Sequence, residues 1–342
     1  MKASSRVLAL LGLAALAACD VPTEAPILEQ RWVLPVENTT ISVNELLPAG
    51  VTASGNSFSV SVSPFSTSRT LGELCGAPCV ATQGLTVPSP AFNASFTVSQ
   101  SLPAKVSAAA LQSGAVTIAI TNGFNFDPLA NGGTLKVTVT DGVGGRPLGE
   151  ASFAAPMNPG GTKSAALTLS AGAVGATLVA SVAVQSPGGQ LTTIENSQRL
   201  TVNATPGAIL VSSATVNVAN ESVTFDAVDL DVEDIDSEIS DRIENGSILL
   251  TITNPFGVSL GAQADITYPG GKISKTLNIA GSATSTATLS YDGAEFRTFL
   301  GKSGVKFTGS GTVSSSAGNI TVTPGQKAVI DAKIDLTLRI GG

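Results

Sequence analysis

"AVIDAKIDLTLRI", residues 328–340, decides the fold class. Ile330, Ala332, Ile334, Leu336, Leu338 and Ile340 alternate with Asp331, Lys333, Asp335, Thr337 and Arg339. Successive side chains of a strand point to opposite faces, so a period of two predicts one buried and one solvated face. The same alternation runs through "SFSVSVSP" (57–64), "TLKVTVTDG" (134–142), "ASVAVQSPGGQLTTI" (180–194) and "DITYPGGKISKTLNI" (265–279). Within them "SPGGQ" and "YPGGK" supply the glycines that tight hairpins need. The expected class is all-β: tandem immunoglobulin-like antiparallel β-sandwiches with a few short helices.

Two stretches read almost alike, "SGAVTIAITNGFNF" (113–126) and "NGSILLTITNPFGV" (245–258). Adding 132 takes Leu111 to Ile243, Gly114 to Gly246, Thr121 to Thr253, Asn122 to Asn254 and Phe124 to Phe256. A glycine hairpin follows each copy, at Gly144-Gly145 and Gly270-Gly271, and each later passes through "TVNATPG" (201–207) or "TVTPG" (321–325). Two related domains in tandem are expected, 28–206 with an N-terminal strand extension and 207–342, with the boundary near Pro206-Gly207. Residues 28–100 either add strands to the first domain or form a smaller third unit. Helices are expected in 102–114, 234–246 and 292–304, each ending on a glycine suited to a C-cap. Asn122 and Asn254 are expected to turn the chain by bonding their own backbone, with Phe124 and Phe256 plugging the end of the sandwich.

The chain opens "MKASSRVLALLGLAALAACD", with basic Lys2 and Arg6 before an apolar run from Val7 to Ala18. That run is too short to span a bilayer and reads as a secretory signal, residues 1–18. Leu16-Ala17-Ala18-Cys19 resembles the lipobox of bacterial lipoproteins, which implies cleavage before Cys19 and lipid on its new N-terminus. The body would then hang on a linker, 19–27, from a membrane, facing the periplasm or the cell surface. Further on, "LLTITNPFGVSL" (249–260), with Asn254-Pro255-Phe256, resembles the late-embryogenesis-abundant type 2, or WHy, domains. That resemblance implies an immunoglobulin-like sandwich without catalytic residues. The first copy departs from it by carrying Gly123 in place of Pro255.

Cleavage removes two of the 18 basic residues and none of the 25 acidic ones, taking the net charge from −7 to −9. An acidic body argues against nucleic-acid partners. The sequence holds no histidine, which excludes Ser-His-Asp and Cys-His catalysis and His-ligated metals. One Trp and two Tyr leave little for aromatic binding platforms. Cys75 and Cys79 in "ELCGAPCV" suggest a disulfide stapling a surface loop; a redox pair or two-thiolate metal site is the alternative. The acidic run 224–241 offers Asp229, Asp231, Glu233, Asp234 and Asp236 as a possible calcium cluster. The other reading is a solvated junction in which Asp229, Asp231 and Glu233 line a strand and Asp234 and Asp236 open a helix. Ser303 to Lys306 matches S-x-x-K but at a turn, without the K-T-G partner motif. The functional expectation is an exported, lipid-anchored, non-catalytic structural or interaction module without cofactors, its partner an envelope protein. A binding protein for a small or lipidic ligand between sheets or domains is one alternative, and a calcium-stabilised adhesion module another.

Overall fold

The computed structural model describes residues 27–36 and 38–340. The signal segment 1–18, Cys19 and all but the last residue of the linker lie outside the described residues. Antiparallel sheets dominate, with few and short helices, as the alternating runs predict. Sixteen principal strands carry the fold: β1 (Leu28–Pro35), β2 (Phe65–Thr70), β3 (Phe92–Ser101), β4 (Val106–Asn122), β5 (Thr134–Asp141), β6 (Pro147–Phe153), β7 (Thr162–Leu169) and β8 (Thr177–Ser186). They continue with β9 (Arg199–Asn217), β10 (Glu221–Asp229), β11 (Ile243–Thr253), β12 (Ser259–Tyr268), β13 (Gly271–Ile279), β14 (Thr284–Asp292), β15 (Lys306–Ser314) and β16 (Lys327–Ile340).

These strands form two sets with one topology. In the first, β2-β9-β4-β7 make one sheet and β3-β8-β5-β6 another. In the second, β1-β16-β11-β14 and β10-β15-β12-β13 repeat that arrangement. Numbered along each set, the order is 1-8-3-6 against 2-7-4-5: first strand pairs last, second pairs seventh, third pairs sixth, fourth pairs fifth. This is the order of a jelly roll. It refines the immunoglobulin-like expectation, in which strands one, two, five and four would share a sheet. Residues of both sheets line common apolar spaces, Ile252 of β11 with Leu260 of β12 and Val313 of β15, and Val116 of β4 with Val139 of β5 and Ala180 of β8. In β16, Ile330, Ile334 and Leu336 are at most 1% exposed while Lys333 and Arg339 are exposed. Each such buried aliphatic side chain contributes on the order of 1.5–3 kcal/mol.

The two sets are not consecutive in the chain. β1 pairs along its whole length with β16, from Leu28↔Ile340 to Pro35↔Lys333, and Thr39–Ser42 pairs with β16 as well. The set comprising β2–β9 is therefore inserted between the first and second strands of the other. The expected division into 28–206 and 207–342 is corrected accordingly: residues 28–42 belong with the C-terminal set. Pro206-Gly207 is not a linker. It falls inside β9, where the register against β4 shifts between Pro206 and Ile209, a bulge that tolerates a residue without an N–H. The far end of β9 pairs Ala214–Asn217 with Asn319–Val322, joining the two sets.

Two helix expectations change. Residues 102–114 are largely strand, because β4 begins at Val106 and pairs with β9 on one side and Gly172–Gly175 on the other; ladder pairing overrides the helical leaning of its alanines. In 234–246 the helix is one turn, α3 (Ser237–Ser240), after α1 (Leu71–Cys75) and α2 (Ala77–Ala81). The stretch 292–304 holds α4 (Gly293–Phe299), opened by an Asp292/Glu295 capping box and followed by Gly301 at φ +71°. The repeated glycines are strand residues, not caps. A Cβ on Gly246 would stand 2.6 Å from the Asp335 carbonyl oxygen and 2.7 Å from the Phe296 ring, and one on Gly114 3.0 Å from Leu169.

Candidate interaction surface

Both repeated asparagines hold the same turn at the end of a central strand. Asn122 accepts from the Phe124 N–H at 2.9 Å and donates to the carbonyls of Phe126 (2.9 Å) and Met157 (2.7 Å). Asn254 accepts from the Phe256 N–H at 3.2 Å and donates to the Val258 carbonyl at 2.7 Å. Each side chain spans the residues two and four positions on. Asn122 and Asn254 are buried, as are Phe124 and Phe256, whereas Pro255 is exposed. Buried amides are costly unless bonded, and these bond inside their own turns. Gly123 replaces proline for a local reason: a Cβ there would lie 2.5 Å from the Arg199 carbonyl oxygen of β9.

Cys75 and Cys79 are joined by a disulfide. They sit on the α1–α2 pair, turned at Gly76 (φ +68°), rather than on the expected surface loop, and both are buried. The acidic residues do not converge. Asp229 ends β10 and pairs with Lys306 at 2.9 Å; Asp231, Glu233 and Asp234 are exposed beyond the strand; Asp236 caps α3, accepting from the Glu238 N–H at 2.8 Å. Among the described residues no three Asp, Glu, His or Cys side chains gather as a metal would require, so the calcium cluster is corrected to a solvated junction. Leu230 and Val232 are buried between exposed acids as the alternation predicts, although β10 has already ended. Ser303 lies in a turn and Lys306 opens β15.

The spaces between sheets are small. Those lined by Ile252, Phe256 and Val258 and by Val116, Val139 and Pro206 each measure about 20 Å³. Ligand pockets run to roughly 300–1,000 Å³, so neither of these two spaces has room for a lipid.

Open features lie on the outside of the β1-β16-β11-β14 sheet. A groove of about 380 Å³ crosses it, lined by Arg31, Asn245, Ser247, Thr288, Ser290 and Asp335. Arg31 clamps Asp335 through both carboxylate oxygens, with Nε 2.7 Å from Oδ1. The guanidinium holds the Asp335 carboxyl below the usual carboxylate range. Beside the groove, β1 is the edge of its sheet, paired among the described residues only with β16. Opposite Leu336 and Ile334, its Trp32 and Leu34 face the core and are half-buried; Glu29, Arg31 and Val33 face out. Ile27, Leu28 and Val33 are 50%, 61% and 50% exposed, three of the seven large apolar side chains exposed among the described residues. Natural edges are commonly blunted by lysine, proline or a bulge. β1 has no lysine, its register against β16 is unbroken, and its only proline is its last residue. The sequence shows many strands but not which one is left at an edge beside the linker.

No family model matches this chain, and no curated protein matches it. Among solved structures, a protein of Parabacteroides distasonis described as secreted aligns over 90% of this chain and 99% of its own, at 9% identity and a TM-score of 0.36. PNGase F, a glycosylasparaginase from Flavobacterium meningosepticum, aligns over 82% and 99% at 10% identity and a TM-score of 0.21. The CBM22-1–CBM22-2 tandem domain of Paenibacillus barcinonensis Xyn10C aligns over 89% and 98% at 11% identity and a TM-score of 0.20. At such scores none of the three lends this chain a ligand or an activity.

Proposed function

We propose that the mature chain is a cell-envelope protein, lipid-anchored through Cys19, whose body is a non-catalytic interaction module. The observation that supports this reading best is the position of the open edge. β1, unpaired on its outer side among the described residues, follows in sequence the linker that would carry the lipid. Edges offer backbone donors and acceptors to an added strand. Among the described residues no helix is long and apolar enough to cross a membrane. The non-catalytic part of the reading is supported by the lack of histidine and by the exposure of Asp231, Glu233, Asp234 and Asp236. A second reading, a binding protein for a small hydroxylated ligand, is favoured by the polar groove beside Arg31 and Asp335 rather than by any space between the sheets.

Metabolic labelling with a palmitate analogue tests the anchor. The expected result is label on the wild-type chain in the membrane fraction and none on Cys19→Ser. Equal labelling of both would refute the assignment.

A further inference from the structure

We infer that the β1 edge is completed by β1 of a second copy of this chain, antiparallel about a two-fold axis through Gln30. The inference deepens the interaction-module reading and rests on it. In that register residues whose numbers sum to 60 face one another: Glu29 meets Arg31, Leu28 meets Trp32, and Ile27 meets Val33 of the second copy. Ile27, Leu28 and Val33, the exposed large apolar side chains of β1 and its flank, then each gain an apolar partner. On the outer face charges alternate across the seam. Arg339 already lies opposite Glu29, and Thr337 opposite Arg31, whose guanidinium reaches diagonally to Asp335. One row across the four strands would then read Arg339, Glu29, then Arg31 and Thr337 of the second copy, with Asp335 bound to that Arg31. Opposite charges directly across a ladder are favourable and like charges unfavourable. An antiparallel pair about a two-fold is closed and self-complementary, giving a dimer rather than a filament.

The other jelly-roll set supplies an internal comparison. β2 holds the same first-strand position, yet "FSTSRT" has no exposed large apolar residue, and it leads into the disulfide-bonded α1–α2 pair. The apolar, charge-complementary edge is thus particular to β1 and not a property of the topology.

The test is a charge swap on the full chain in mild detergent, read by light scattering corrected for bound detergent. Wild type is expected to be dimeric. Glu29→Arg sets two arginines against each other across the seam, and Arg31→Glu sets two glutamates against each other; each variant should dissociate at about tenfold higher concentration. Mixed in equal amounts, the two variants form only opposite pairs across the seam, and dimer should return. Both singles share the same micelles, which controls for anchored copies held together by detergent. Far-UV circular dichroism checks folding, and Glu29→Arg alone leaves the Arg31–Asp335 clamp in place should Arg31→Glu fail to fold. A monomeric wild type, a dimer indifferent to Glu29→Arg, or folded variants that do not recover on mixing would each overturn the proposal. A chain that takes lipid label at Cys19 yet stays monomeric would keep the anchor reading and lose this one.

Discussion

Replacing Asn122 and Asn254 by alanine should rank the two turns in a stated order. Asn122→Ala leaves three buried backbone groups without partners, the Phe124 N–H and the carbonyls of Phe126 and Met157. Asn254→Ala leaves two, the Phe256 N–H and the Val258 carbonyl. An orphaned buried group costs on the order of 1–3 kcal/mol; taking the low end, about 1–1.5 for each because alanine leaves the turn room to relax, Asn122→Ala should lose about 3–5 kcal/mol and Asn254→Ala about 2–3. For units of this size that corresponds to Tm decreases of roughly 10–15 °C and 5–10 °C. The sole tryptophan, Trp32, lies on β1 and so reports the set containing β10–β16. Asn254→Ala should move the Trp32 fluorescence transition, whereas Asn122→Ala should mainly move the circular-dichroism transition of the inserted set. Asn→Asp at either site keeps the acceptor but turns oxygens toward carbonyls, and should be no milder than alanine. If Asn122→Ala unfolds within 0.5 kcal/mol of wild type (about half of the smallest loss expected for one orphaned group), or if Asn254→Ala proves the costlier, the turn-bonding account fails.

Asp141 gives a pH signature. Its buried carboxylate accepts from the N–H groups of Gly175 and Gly144, each at 2.7 Å, which holds its pKa below the usual value. A depressed folded pKa contributes stability above the unfolded pKa of about 3.9, lost as pH falls through the lower folded value. The Tm advantage of wild type over Asp141→Asn should be present at pH 6 and shrink below about pH 4; an advantage independent of pH contradicts the assignment. Gly246→Ala would drive a methyl against the Asp335 carbonyl and the Phe296 ring, and should cost about 2–3 kcal/mol in urea unfolding followed by Trp32, against under about 1 for Gly261→Ala in β12, where the nearest atom to an added Cβ is 3.8 Å away. Deleting residues 28–35 uncovers Leu336 and Leu338 of β16, and limited proteolysis should then digest the β10–β16 set while leaving a resistant fragment near 51–217.

Local pattern in the sequence reaches a long way. The alternation at 328–340 identifies β16 residue by residue, and the offset of 132 pairs β4 with β11 and Asn122 with Asn254, which the structure places in matching turns. What pattern cannot show is pairing over distance. Arg31 and Asp335 stand 304 residues apart, and neither carries a trace of the other, so sequence alone puts the first strand in the wrong set. The stretch 102–114 misleads because alanine-rich segments favour helix until two neighbouring strands claim their backbone. Glycines 114 and 246 mislead in the same way: a cap and a close approach both demand glycine, and only the neighbours Leu169 and Phe296 tell them apart. The open edge is illegible for a related reason, since an edge is defined by the strand that is not there.

The insertion of one set inside the other also fixes an order of assembly. On a chain made from its N-terminus, β1 emerges first and its partner β16 last. The strands β2–β9 are contiguous and can close as soon as Asn217 is available, while β1, with Trp32 and Leu34 uncovered, has no β16 to pair with until residues 327–340 are made. Any premature stop before β16 would strand it in that state, so a truncated product should be recognised by the cell as unfinished at its beginning as well as at its end.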